Sequence, residues 1–148
     1  MEIRQIRENK KQFLDLLLLA DEQENMIDRY LGRGTMYVLY DDGVKGEVVV
    51  TDEGNGILEI KNIAVLPKYQ GKGYGRLLID FLVKEYKDKK YHELQVGTGD
   101  SPLTLSFYKK CGFIYHHRIK NFFVDNYYQP IYECGKQLID MIYLRRKM

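Results

Sequence analysis

Residues 57–86 constrain the fold of this chain more than any other stretch. Residues 57–66 are rich in Ile, Val and Leu and predict a buried β-strand. Pro67 has no amide hydrogen to donate, so we expect the strand to end before it. A glycine-rich loop follows, and apolar residues then recur at helical spacing, which predicts an amphipathic helix over residues 75–86. The chain therefore carries a glycine loop between a central strand and a helix.

The glycine loop indicates a phosphate-binding site. Gly71, Gly73 and Gly75 stand at alternate positions. Without Cβ atoms the backbone N–H groups can approach an anion closely, and the helix start adds unpaired N–H groups and the positive end of its dipole. Lys72 and Arg76 add charge. The dinucleotide fingerprint fails because Arg76 stands at its third glycine, and the P-loop fails because Gly73, not Ser or Thr, follows Lys72.

The spacing that does match is Gln70-x-x-Gly73-x-Gly75. It resembles the pyrophosphate loop of the GNAT superfamily, the acyl-CoA-dependent N-acetyltransferases. Residues 105–113 are similar to a second signature of that family, an aromatic-Tyr pair shortly before Gly-Phe. A plain glycine turn in an α/β domain is the alternative, but the two signatures occur in the family's order. The resemblance is sharp over residues 59–81 and 94–113 and extends over nearly the whole chain.

The resemblance implies a single N-acetyltransferase domain over residues 1–148. Its fold would be α/β (α+β), with a mixed, mostly antiparallel central sheet of about seven strands, splayed at the middle and flanked by about four helices. The sequence pattern predicts strands over residues 1–7, 35–40, 44–51, 57–66, 91–96, 113–124 and 138–144. Helices are predicted over residues 9–20, 75–86 and 101–112, and a helix or turn over residues 21–31.

The resemblance also implies that acetyl-CoA is the co-substrate. Main-chain N–H groups of the loop would cradle its pyrophosphate, and the strand edge would pair with its pantetheine arm. A splay between this strand and residues 91–97 would open the slot, and a backbone N–H near Ala64 would bind the thioester oxygen. The implied cofactor-binding residues are Ile63, Ala64, Val65, Gln70, Gly71, Lys72, Gly73, Tyr74, Gly75, Arg76, Asp100 and Ser101.

The family's direct attack of an amine on acetyl-CoA in a ternary complex needs a base and an acid. Glu59 stands where several family members carry a general-base glutamate; the alternative is a solvent-facing strand residue paired with a cation. Tyr108 matches the family's general-acid tyrosine, which protonates the leaving thiolate; the alternative is a core tyrosine on an amphipathic helix. We assign Phe107 to the core and Tyr108 to the cofactor slot.

The acceptor is expected to be a small-molecule primary amine in a pocket built partly by residues 9–31. Tyr127 and Tyr128, in an aromatic loop over residues 125–135, would close that pocket, whereas a protein acceptor needs an open groove. The loop could instead simply pack over the sheet. A protein lysine or N-terminal acetyltransferase remains an alternative, as does a non-catalytic acyl-CoA-binding regulatory module.

Composition limits the other functions. A net charge of +2 gives no sign of nucleic-acid binding, and we expect neither a membrane span nor a signal peptide. Cys111 and Cys134 are too few for a disulfide framework, so we expect reduced thiols in a cytoplasmic protein. His116 and His117 should point to opposite faces of a strand, and no metal site is expected. The family makes a homodimer possible.

Overall fold

The computed structural model describes residues 1–148. Its strands are β1 (Glu2–Ile6), β2 (Thr35–Tyr40), β3 (Val44–Asp52), β4 (Ile57–Val65), β5 (Glu93–Gly99), β6 (Ile114–Ile119), β7 (Tyr132–Glu133), β8 (Lys136–Gln137) and β9 (Met141–Lys147). Its helices are α1 (Leu14–Ala20), α2 (Glu24–Ile27), α3 (Tyr74–Tyr86), α4 (Pro102–Lys110) and α5 (Phe122–Asn126), with short 3₁₀ turns at Lys10–Phe13 and Pro67–Tyr69.

Seven strands form one sheet in the order β1-β2-β3-β4-β5-β9-β6. Only β4 and β5 run parallel; every other neighbouring pair is antiparallel. The strands β7 and β8 form a separate hairpin. The predicted mixed, mostly antiparallel sheet is therefore confirmed, and the parallel pair is the one joined through the helix after the glycine loop.

The core lies on both faces of this sheet. On one face, α3 and α4 bury a large apolar cluster that includes Leu78, Leu82 and Phe113. On the other face, α1 and α2 bury a smaller cluster around Leu17 and Ile27. Because successive strand side chains point to opposite faces, β2 and β3 each contribute buried residues to both clusters.

The sheet opens in its middle. The strands β4 and β5 pair only from Ile57 with Glu93 to Ile60 with Val96, whereas β4 continues to Val65 paired with β3 alone. A register shift between β3 and β4 leaves Lys61 without a partner residue, and such a bulge bends the strand locally. The predicted splay is confirmed, and it leaves the last residues of β4 with an edge that β5 does not cover.

The predicted strand over residues 113–124 is too long. It ends at Ile119, and α5 occupies the following residues, which makes five helices rather than about four. Asn121 takes a left-handed backbone conformation, with φ of 59°, and its backbone N–H donates to Asp140 Oδ1 at 2.9 Å. Asp140 also pairs with Arg118 at 3.0 Å, so this carboxylate holds the turn that stops the strand.

Other boundaries also differ from the predictions. The last strand begins at Met141, and the predicted loop over residues 125–135 contains the end of α5 and most of the β7–β8 hairpin. The predicted helix over residues 9–20 begins as a 3₁₀ turn before α1, and residues 21–31 contain only the four residues of α2 as a helix.

The prediction that His116 and His117 point to opposite faces is wrong. The register of β6 on β9 shifts between Tyr115 and His117, so His116 is an extra residue in a bulge. The two Nδ1 atoms lie 2.7 Å apart as a result. The structure has no group of three or more His, Cys, Asp or Glu side chains that could hold a metal ion. None of its helices is long and apolar enough to cross a membrane.

Candidate active site

A cavity of about 540 Å³, here called the loop cavity, lies between the uncovered edge of β4, the glycine loop and α4. Most of the predicted cofactor-binding residues line it: Ile63, Ala64, Val65, Gln70, Gly71, Gly73, Tyr74, Gly75 and Arg76. Its other lining residues, which sequence reasoning missed, include Tyr69, Leu103, Thr104, Phe107, Lys110 and Cys111. Most of these missed residues belong to α4, whose approach to the loop is a tertiary contact.

The backbone of the loop leaves space for an anion. Gly73 precedes the first residue of α3 and has φ of 88°, a conformation that side chains other than glycine rarely adopt. A Cβ atom at Gly73 would meet no protein atom within 4 Å, so the space beside it is open. At Gly75 a Cβ would lie 3.0 Å from the Phe107 ring, which shows how closely α4 packs on the loop. The loop therefore fits a pyrophosphate bound by N–H groups.

Positive charge surrounds the loop cavity. Arg76 and Lys110 line it, and Arg76 Nη1 donates to the Lys110 carbonyl at 3.3 Å. Lys45 Nζ lies 4.1 Å and Lys72 Nζ 5.7 Å from the centre of the Tyr69 ring, beside the loop. Lys72 does not itself line the cavity. This arrangement suits a ligand with several phosphates, since Lys and Arg bind phosphate oxygens by charge-assisted hydrogen bonds.

Asp100 and Ser101 do not line the loop cavity. Asp100 pairs with Lys136 at 3.4 Å. Ser101 is the predicted residue before the first turn of α4, but it is buried, and its Oγ lies 3.7 Å from Cys134 Sγ. The structure therefore does not bring these two side chains to the loop cavity, because the β7–β8 hairpin engages them.

A second cavity of about 260 Å³ lies on the other side of β4. Its walls come from the end of α1, from β4 and β5 beyond their last pair, and from α5 and the β7–β8 hairpin. Its charged lining residues are Asp21, Glu22, Lys61 and Glu133. Because carboxylates predominate among them, we call it the acidic cavity. Sequence reasoning did not single out Asp21, Glu22 or Glu133, which are far apart in the chain.

The two cavities meet at Ile63, Thr104 and Tyr108, which line both. Tyr108 is only 6% exposed, and no protein group hydrogen-bonds its hydroxyl. Burial raises the pKa of Tyr108, and the neighbouring Cys111 and Glu133 add to the effect. The phenol therefore keeps its proton at neutral pH and can donate it as a hydrogen bond to a ligand at the junction.

Phe107, which we assigned to the core, packs against the large apolar cluster. Phe107 is half-buried and lines the loop cavity. Tyr108 is the more buried of the two and belongs to the large apolar cluster, yet it lines both cavities. Core packing and a place in the slot are therefore not alternatives for Tyr108, because the packing fixes the position of the ring while its hydroxyl is left without a protein partner.

Glu59 is buried, with 4% exposure, and borders neither cavity. Its Oε1 accepts a hydrogen bond from Gln95 Nε2 at 2.5 Å, and its Oε2 pairs with Lys61 Nζ at 2.7 Å. Gln95 is held in turn by Arg145 Nε at 2.7 Å. The carboxylate does have a cation partner, as one alternative expected, but it does not face solvent. Its connection to the acidic cavity runs through Lys61, which lines the cavity wall.

The segment at the end of α5 walls the acidic cavity. Tyr127 lines the cavity and donates to Asp21 Oδ1 at 2.6 Å. Asn126 accepts a hydrogen bond from Arg29 at 3.0 Å, so the segment is fastened to the region of α2. Tyr128 is 80% exposed and lines neither cavity, so its predicted part in closing the pocket is wrong. The segment does more than pack over the sheet, because it forms one wall of the acidic cavity.

Residues 32–115 match the acetyltransferase (GNAT) domain. The chain is 36% identical over 139 residues to the uncharacterized N-acetyltransferase YvbK of Bacillus subtilis (strain 168), covering 93% of this chain and 90% of YvbK. A GNAT family acetyltransferase from Elizabethkingia anophelis, solved with acetyl-CoA bound, is 38% identical with a TM-score of 0.93, over 99% of this chain and 97% of that one. An IAA acetyltransferase from Bacillus cereus ATCC 14579 is 36% identical with a TM-score of 0.93, over 99% of both chains.

Proposed function

Because the chain belongs to the GNAT acetyltransferase family, we propose that it moves the acetyl group of acetyl-CoA to the primary amine of a small molecule. It is an acetyl-CoA-dependent N-acetyltransferase. The positive charge of the loop cavity and the open space beside its glycine loop suit acetyl-CoA as the donor. The observation that carries the proposal is the junction at Tyr108, whose side chain lines both the loop cavity and the acidic cavity. An acceptor in the acidic cavity would meet the thioester there.

The size and enclosure of the acidic cavity support a small acceptor. Its volume of about 260 Å³ suits a small metabolite. The end of α5 forms one of its walls. An extended peptide would need an open groove rather than an enclosed pocket. The fastening of Asn126 to Arg29 holds this wall in place. These features favour a small amine over a protein N terminus or a lysine side chain.

In the proposed reaction the amine nitrogen attacks the thioester carbonyl carbon, and the bond from that carbon to sulfur breaks. An ammonium acceptor loses two protons overall. One proton leaves before the attack, and the second leaves as the amide forms and is balanced by protonation of the CoA thiolate. The products are the N-acetyl amine, CoA thiol and one proton. A backbone N–H near Ala64 is proposed to stabilise the oxyanion of the tetrahedral intermediate.

Tyr108 is proposed to donate the proton that the thiolate receives. A thiol has a pKa of about 8.5, and burial holds the phenol protonated until the sulfur develops charge. Glu59 is proposed as the base. Since Gln95 and Lys61 occupy its oxygens, that role requires a water molecule, or a shift of the Lys61 ammonium, between Glu59 and the acceptor.

An acceptor panel tests this function. Release of CoA thiol from acetyl-CoA is followed with three kinds of acceptor: small primary amines, the IAA for which the Bacillus cereus relative is named, and peptides that carry free N termini or lysines. The products are identified by mass spectrometry. We expect thiol release and an N-acetyl product with at least one small amine. Release with the peptides alone would overturn the proposal in favour of a protein acetyltransferase.

Two further predictions concern the setting of the enzyme. A cytoplasmic location is proposed from the two free cysteines, buried Cys111 and exposed Cys134, which suit a reducing compartment. A homodimer is proposed from the family alone, and light scattering of the purified protein tests it directly.

A further inference from the structure

Asp21, which follows the last residue of α1, is held by two tyrosines from different parts of the chain. Tyr30 donates to its Oδ2 at 3.0 Å, and Tyr127 donates to its Oδ1 at 2.6 Å. Burial raises the pKa of both phenols, so they keep their protons and act as donors. Asp21 also lines the acidic cavity. The backbone N–H of Gln23 also lowers the pKa of this carboxyl as a hydrogen-bond donor. The carboxylate is therefore fixed in the wall, and its two oxygens together retain capacity for a further donor.

Asn62 extends this hydrogen-bond network, and its side-chain oxygen has no hydrogen-bond donor. Its Nδ2 donates to the Leu17 carbonyl and to the Tyr30 hydroxyl, each at 3.0 Å. The Leu17 carbonyl can only accept, so it fixes which end of the amide is nitrogen. Asn62 Oδ1 is then buried without a hydrogen-bond partner, in a side chain that is 3% exposed and lines the acidic cavity. A buried acceptor without a donor is destabilising, and a ligand with N–H groups would supply the donor.

The charges of the acidic cavity favour a cation. Asp21, Glu22 and Glu133 line it, and its one cationic lining residue, Lys61, already pairs with Glu59 at 2.7 Å. Burial raises the pKa of Asp21, and the charge of Arg29, which lies outside the cavity lining and binds Asn126, offsets part of that rise. A carboxylate on the acceptor would be repelled by these walls, whereas a second positive charge would be attracted.

The location of Asp21 separates it from the reacting nitrogen. The junction with the loop cavity is formed by Ile63, Thr104 and Tyr108, whereas Asp21 lines the acidic cavity alone. The attacking nitrogen must lie at the junction and must lose its charge before it can attack. A carboxylate held by two phenols suits a group that stays charged throughout the reaction, at the other end of the acceptor.

We propose that Asp21, together with Asn62 Oδ1, binds a second, non-reacting ammonium group of the acceptor. The acceptor class is then a short aliphatic diamine without a carboxylate. This inference rests on the proposed function and narrows it, because it names what the small amine carries at its far end. Asp21 acts as a specificity-determining residue, and it takes no part in the acetyl transfer itself.

Matched acceptors test the wild-type enzyme. Butylamine, 1,4-diaminobutane and 4-aminobutanoate share one carbon chain and differ at the far end, which is neutral, positive or negative, and diamines of three, five and six carbons vary the spacing. We expect kcat/KM for the best diamine to exceed that for butylamine by about tenfold or more, as for a charged hydrogen bond, with 4-aminobutanoate the poorest. Equal use of butylamine or 4-aminobutanoate would overturn this inference and leave the proposed function standing. Acetylation of peptides alone would overturn both.

Variants identify the residue responsible. Asp21→Asn should raise KM for the diamine about tenfold or more with little change in kcat, and should raise KM for butylamine much less. Tyr127→Phe keeps the carboxylate and should raise the diamine KM less. Asp15→Asn, the same change at an exposed position of α1, is the control and should change neither. An equal loss for butylamine and the diamine in Asp21→Asn would show a structural role and overturn the assignment. An unchanged preference for the diamine over butylamine in both Asp21→Asn and Tyr127→Phe would also overturn the assignment.

Discussion

Ile60 and Val96 form the last residue pair between the parallel strands β4 and β5. Beyond this pair β4 continues alone on that side, and Tyr108 of α4 lines the cavities on both sides of the opening. The opening is thus the point where a donor lying along β4 and an acceptor from the acidic cavity can meet. The proposed reaction depends on this one break in the sheet.

The glycine loop is tested by binding. Acetyl-CoA should raise the melting temperature of the wild type, because a ligand that binds only the folded state stabilises it. Gly73→Val should lose this shift, since its side chain would occupy the open space beside the loop. Gly54→Val is the matched control: Gly54 also has positive φ, 82°, and open space, but lies in the β3–β4 turn. Either variant should cost roughly 1–3 kcal/mol in backbone strain, but only Gly54→Val should keep the shift. Equal shifts in both would contradict the pyrophosphate assignment.

The Tyr108 hydroxyl is tested by its removal. Tyr108→Phe keeps the ring and its packing, and general acid catalysis typically contributes ~10²–10⁴-fold, so turnover should fall by at least about tenfold. Acetyl-CoA affinity, measured by calorimetry, should change little. Tyr132→Phe, at an exposed tyrosine, should have no effect. A Tyr108→Phe enzyme within about twofold of wild type, with chemistry shown to limit the rate, would mean that the proton comes from elsewhere.

Glu59 is tested by the pH dependence of its loss. If it is the base, Glu59→Gln should reduce turnover most at low pH, where the amine is most protonated, and the loss should shrink as pH approaches the amine's own pKa. If Glu59 only positions Lys61, through their 2.7 Å ion pair, the loss should be the same at every pH. The ratio of wild-type to variant kcat/KM across pH separates these outcomes, and a constant ratio would remove Glu59 from the proton path.

Glu47 should make stability depend on pH. It is fully buried in β3, neither of its carboxyl oxygens has a hydrogen-bond partner, and burial raises its pKa well above the usual range. Below the unfolded pKa of about 4.3 both states hold the proton, and stability is then lost as pH rises towards the folded pKa. Glu47→Gln should therefore raise the melting temperature by ~3 °C or more at pH 8 and by little near pH 4. Exposed Glu8→Gln is the control, and a pH-independent effect of Glu47→Gln would contradict this reading.

The parts of the fold and site that could be predicted are those encoded by neighbouring residues. The strand that ends before Pro67, the glycine loop and α3 follow one another in the chain, so their spacing alone indicated a phosphate site. The splay could be expected once the family resemblance was recognised. Ser101 and Pro102 likewise indicated the start of α4, because these residue types suit the first positions of a helix.

The acidic cavity could not be predicted, because it is assembled from distant residues. Asp21 and Tyr127 are 106 positions apart and meet only when the segment after α5 reaches the end of α1. The alternation of residues along β6 does not predict the bulge at His116, because the bulge depends on pairing with β9. The burial of Glu59 has the same origin: its partner Gln95 comes from β5, so the pattern of β4 alone could not show that both carboxylate oxygens are engaged.

The central claim is that acetyl transfer takes place where the two cavities meet. A crystal structure of the complex with acetyl-CoA tests it most directly, through the distance from the Tyr108 hydroxyl oxygen to the thioester sulfur. We predict that this oxygen lies within hydrogen-bonding distance of the sulfur, with the pyrophosphate on the N–H groups between Gln70 and Arg76 and the acetyl group facing the acidic cavity. A thioester that lies away from Tyr108, or an acetyl group that faces away from the acidic cavity, would contradict the account.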